Sequence, residues 1–245
     1  MNAFARHNVK HLSASSLNCW RSAPGLWAVR YLLGVKDNGN PAMWRGTATE
    51  GGLEAYMRGR PLEDAVKAAL SNFEANAQGE ASDEVEAERN AIRDYVEIAC
   101  RKVHNQFPVL TATQLRIEHW LDGIPVPLIG YVDFVFEDGS LFDLKTTMRI
   151  PSEPKPDHAR QVSIYMKARH TEAGSLLYVS PKRAEHYHIT NPDEHLAGLR
   201  RDALALMRFL DRFETAEEAA RALPADTDHF MWSDATKARA LELWS

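Results

Sequence analysis

The chain has 245 residues, enough to bury the core of one good-sized domain. Apolar residues make up 44% and charged residues 26%, as in ordinary globular proteins, and a formal charge of −5 argues against a wholly basic nucleic-acid coat while leaving room for a local basic groove. No run approaches the roughly 18 apolar residues of a membrane span; Met1 to Leu12 lacks the apolar stretch of a signal peptide; and Cys19 and Cys100 form no CxxC pair, which predicts free thiols in a reducing cytoplasm rather than a disulfide framework or zinc ribbon.

Ser13 is placed to cap a helix running toward Ala28–Tyr31, with a break near Pro24. Gly34 to Pro41 reads as a polar loop. A second helix is expected from about Trp44, with Ala48, Leu53, Tyr56 and Met57 on its apolar positions, until Pro61 interrupts it. Residues 62 to 105 read as helices parted by the polar stretch Asn76 to Ser82. From about residue 110 the pattern changes. Leu115 to Leu121 alternates like a strand, and Asp122-Gly123 signals a turn. Val126 to Phe136 and Leu141 to Lys145 form the next strands, joined by the hairpin turn Glu137-Asp138-Gly139-Ser140. Ala159 to Arg169 is predicted helical, Leu176–Val179 and His186–Ile189 as strands, Asp193 to Glu214 as a long amphipathic helix, and the tail after Pro224 as helix. The whole is expected to be one α/β domain, residues 1 to 245, with a central sheet flanked by helices.

Chemistry concentrates on the hairpin. If Glu137-Asp138-Gly139 forms a three-residue loop, Asp133 and Asp143 face each other across the pair. Like charges so placed repel unless a cation lies between them. Period-two alternation puts Lys145 on the same face as Asp143, with Phe142 and Leu144 on the other. Two carboxylates and an ammonium suit phosphodiester hydrolysis. Hard oxygens hold Mg²⁺ or Mn²⁺, the cation activates water, and lysine orients or deprotonates that water and offsets charge. Read alone, the D-x-K triplet favours a solvated hairpin with a surface ion pair.

Four segments in order resemble the PD-(D/E)xK nuclease superfamily, and within it the RecB-like exonucleases. They are Leu12–Trp20 with Tyr31–Gly34, Arg45–Glu50, Gly130–Asp133 with Asp143–Thr147, and Gln161–Tyr165. The resemblance implies a restriction-endonuclease-like core with a mixed sheet. It implies Asp133, Asp143 and Glu50 as metal ligands, with the Leu144 carbonyl as a further one, and Lys145 as the catalytic lysine. Gln161 and Tyr165, i and i+4 on one helix face, would look onto the active site and DNA. Arg45 and Thr146 are candidate phosphate contacts. Glu50 stands where the family usually has a histidine. Cys19 has no C-terminal cysteine triplet to join it, so no iron–sulfur cluster is expected.

The expectation is therefore a Mg²⁺- or Mn²⁺-dependent DNA exonuclease of recombination or repair. Unwinding would be left to a partner protein or to end-processing itself. An endonuclease of the same fold, structure-specific or restriction-like, and a non-catalytic DNA-binding protein are the rivals.

Overall fold

The computed structural model describes residues 2–36, 38–224, 227–228 and 231–245, and within these the chain forms two compact units. The first comprises residues 1–38, 117–130 and 191–245, and the second residues 39–116 and 131–190.

The first unit begins with a short helix that the sequence reading did not anticipate, α1 (Ala3–Arg6), followed by α2 (Ala14–Ser22). Ser13 and Ser16 close a reciprocal capping box at the start of α2. The break expected near Pro24 is a new start: Pro24 opens α3 (Pro24–Trp27), which widens into a π-helical turn over Ala28–Leu32. After the strands come three more helices, α8 (Pro192–Leu210), α9 (Ala216–Arg221) and α10 (Asp234–Trp244). The tail reading is met by α10, whereas α9 was missed. His7 Nε2 lies 2.9 Å from the Leu210 carbonyl and 3.1 Å from that of Phe213, and Arg6 bonds the Asp211 and Phe213 carbonyls. These side chains bond carbonyls at and just beyond the C-terminus of α8, where a cationic arginine is favoured. Cys19, like Cys100 in the second unit, is a buried free thiol.

The second unit carries α4 (Pro41–Met57), α5 (Leu62–Ala77) and α6 (Asp83–Val103). Asn40 caps α4 ahead of Pro41, so this helix starts three residues before the apolar pattern suggests. Ser82 caps α6 through the Val85 amide. The sheet has five strands in sequential order: β1 (Leu110–His119), β2 (Leu128–Phe136), β3 (Leu141–Thr146), β4 (Gly174–Val179) and β5 (Ala184–His188). β2–β3 and β4–β5 are antiparallel, and β3–β4 is parallel. A parallel pair needs a crossover, and α7 (Pro156–Arg169) supplies it. Phe134, Phe136, Phe142, Leu144, Leu177 and Val179 join Ala48, Leu53, Phe73, Ile92 and Val96 of α4–α6 in one apolar cluster. The same strands turn Asp143 and Lys145 the other way. Among the described residues no helix is long and apolar enough to cross a membrane.

Candidate active site

The register places the acids. Phe134 pairs with Phe142 and Val135 with Leu141, around the three-residue turn 137–139 that Gly139 closes with φ +81°. One step further along that register, Asp133 stands opposite Asp143. The pairing of Phe134 and Phe142, whose rings stack 4.6 Å apart, puts the two aspartates on the other side. Asp133 Oδ2 accepts the Leu144 amide at 2.9 Å, which fixes its carboxylate against β3.

Asp143 is wholly buried. Its Oδ2 lies 2.7 Å from Lys145 Nζ, while Oδ1 has no hydrogen-bond partner. Lys145 Nζ also donates to Gln161 Oε1 at 3.1 Å, and Gln161 Nε2 donates to the Tyr165 hydroxyl at 2.6 Å. The two α7 residues therefore form a chain behind the lysine. Glu50, on α4, joins through Gln114 of β1: Gln114 Nε2 donates to Glu50 Oε1 and, at 3.0 Å, to Asp133 Oδ1. One nitrogen bonded to both acids shows that Glu50 and Asp133 are close neighbours.

Two placements differ from the sequence reading. Arg45, expected to meet phosphate, is only 4% exposed. It pairs with Glu88 on α6, lies 4.6 Å over the Tyr95 ring and reaches Thr146 Oγ1 at 3.4 Å. An arginine paired and covered in this way has no face for DNA, and it occupies Thr146 as well. Tyr165, expected at a DNA surface, is 2% exposed and points its hydroxyl at Gln161. Trp44 packs in the core against Phe73. His186 is half-buried 2.7 Å from Ser175 Oγ, and burial pulls its pKa down to about 4. Sequence reasoning missed Gln114 and also Tyr131, a half-exposed aromatic two residues before Asp133.

Burial raises the pKa of Glu50, Asp133 and Asp143, and for Glu50 and Asp133 the neighbouring carboxylates raise it further. Burial would lower that of Lys145, but Asp143 and Asp133 outweigh it and the ammonium is held above the usual lysine range. These raised acids bind more protons in the fold than in the unfolded chain. Their stabilising contribution is complete below the ordinary carboxylate value of about 4, and it is lost as pH rises toward the raised values. Lys145 contributes up to its unfolded value and loses that contribution only at alkaline pH. A divalent cation bound among these acids would supply the missing positive charge. The rise in Tm on adding saturating Mn²⁺ in place of EDTA is therefore expected to grow as pH climbs above about 4. His158 and His186, held neutral by burial, affect both arms equally and cancel. Melting curves from pH 4 to 8 check this, and an increment that shrinks with pH contradicts it.

Buried, mutually repelling carboxylates with an unpartnered Asp143 oxygen fit a hard cation. As they stand, among the described residues, no three His, Cys, Asp or Glu side chains converge tightly enough to ligate one. Glu50, Asp133 and Asp143 are the residues available to hold it.

A five-stranded mixed sheet with α4–α6 over one face and the crossover α7 against β3 and β4, carrying an acidic hairpin and a lysine, has the restriction-endonuclease-like architecture. The family model described as "PD-(D/E)XK nuclease superfamily" matches residues 11–230, and the chain belongs to that superfamily. Its members generally use divalent metal ions. A crystal structure described as "Putative exonuclease" from Eubacterium rectale is similar over 96% of this chain and 90% of that one, at 13% identity and a TM-score of 0.54. The crystal structure of SSO0001 matches 65% of this chain and 84% of that one, at 19% identity and a TM-score of 0.37. No curated protein matches the chain.

Proposed function

We propose that the chain is a Mg²⁺- or Mn²⁺-dependent DNA exonuclease of the RecB-like branch, working on DNA ends in recombination or repair. The observation that carries this reading is Asp143, fully buried opposite Asp133 with one oxygen on Lys145 and the other unpartnered. Glu50, Asp133 and Asp143 hold the cation, with the Leu144 carbonyl as a further ligand. When bound, the ion draws charge from the phosphate and makes an attacking water more acidic.

The chain's own residues do the rest. Lys145, kept protonated by its neighbours, orients water or a phosphate oxygen and offsets the charge that builds up on the phosphate. Gln161 fixes the ammonium by accepting a hydrogen bond from it, and Tyr165 fixes Gln161 from inside the fold. Gln161 and the half-exposed Tyr131 are the DNA contacts we assign nearest the acids, the tyrosine ring offering a face on which a base can stack. The name of the Eubacterium rectale neighbour supports attack from ends.

Linear and covalently closed circular DNA, incubated with Mg²⁺, Mn²⁺ or EDTA, separate the readings. Metal-dependent loss of linear DNA alone is expected. Linearisation of the closed circle would identify an endonuclease, and DNA binding with no cleavage in either metal would identify a binding protein.

A further inference from the structure

Gln114 has a backbone conformation unusual for its place. Its φ is +47°, in the left-handed region that residues other than glycine seldom adopt, yet it stands in the middle of β1. The alternation of the strand slips by one there. Leu110 and Ala112 lie on the more covered side, and after them Thr113, Leu115 and Ile117 do. In a regular strand, consecutive side chains leave on opposite faces. Here Thr113 and Gln114 both reach α4. Thr113 Oγ1 donates to Glu54 Oε1 at 2.8 Å, and Gln114 Nε2 donates to Glu50, one helical turn earlier, and to Asp133. Backbone outliers persist where their surroundings hold them, and they gather at functional sites.

We propose that Gln114 is a positioning residue of the metal centre, its carboxamide holding the Glu50 and Asp133 carboxylates side by side so that a divalent cation meets a preformed pair. The inference rests on reading those two acids as ligands. Adjacent carboxylates repel. With no donor between them, one swings away, and that movement must be undone before a cation binds. Partners standing behind metal ligands typically change affinity 10–100-fold.

Calorimetric titration of the full chain with Mn²⁺ tests this, using Gln114→Met, which keeps the length without the amide, and Gln114→Gly, which accepts the left-handed backbone. Both variants are expected to weaken Mn²⁺ binding about tenfold or more. Cleavage should recover toward the wild-type rate at saturating Mn²⁺, so that the loss falls on the KM for metal rather than on kcat. In EDTA the Tm of Gln114→Gly should be no lower than that of wild type. An unchanged or tighter Mn²⁺ Kd in both variants overturns the proposal, as does a lowered Tm of Gln114→Gly with its Kd intact, which would make the residue purely structural. A wild-type chain that binds no Mn²⁺ removes the ligand reading itself, and this inference with it.

Discussion

Asp133→Asn is expected to make the metal-free protein more stable and the enzyme inactive. The asparagine keeps an oxygen for the Leu144 amide, which Asp133 Oδ2 accepts at 2.9 Å, so the local fold retains its anchor, while its new amide replaces the oxygen that accepts Gln114 Nε2 at 3.0 Å and must be met by the Gln114 carboxamide oxygen. It removes a charge that burial disfavours and that Asp143 and Glu50 repel. Each kcal/mol relieved raises Tm by about 2–4 °C for a chain of this size, and melting in EDTA reads the gain. The same change deletes a carboxylate proposed to hold the cation, and kcat is expected to fall by about 10³-fold or more. Lys145→Ala should lose activity on the same scale for a different reason: it leaves Asp143 buried without its ammonium, so its Tm should fall where that of Asp133→Asn rises. If Asp133→Asn retains activity within tenfold of wild type, the site has been misassigned.

Arg45→Met is expected to unfold the protein at a markedly lower temperature without altering how DNA binding responds to salt. The guanidinium is nearly inaccessible, and its removal strands Glu88, whose side chain is 17% exposed, while taking away the contact with Tyr95 and the reach to Thr146. Breaking one half of a buried pair costs about 3–5 kcal/mol, which lowers Tm by about 10 °C. Adding Glu88→Gln should recover much of that loss, because the stranded charge goes with it. A phosphate contact would behave otherwise: its loss lowers the slope of log affinity against log salt by about one. A reduced slope with little change in Tm would return Arg45 to the DNA surface.

What the sequence disclosed follows from which contacts are local. The facing aspartates could be read because a three-residue turn sets the register, and Lys145 because alternation is strict over three residues. The chain Lys145–Gln161–Tyr165 was half legible: the i, i+4 spacing joins Gln161 to Tyr165, but that Tyr165 faces inward depends on how α7 packs against the sheet. Arg45 was misplaced because Glu88 lies 43 positions away, on a helix whose docking no local pattern reveals. Gln114 left no signal at all. A left-handed residue within a strand has no composition mark, and the slip in alternation it causes looks from the sequence like a ragged strand end, which is why the strand was read from Leu115 rather than Leu110.

The exposed turn at 137–139 has little chemistry of its own, yet it acts as the gauge of the site. Its length decides which residue meets Asp133 across the ribbon. A loop one residue longer or shorter would shift the pairing out of step and drive a carboxylate into the phenylalanine layer, or a phenylalanine ring toward the acids. The length of this turn is therefore more tightly constrained than its composition, Gly139 with its positive φ and Asp138, which accepts the Ser140 amide and hydroxyl, apart.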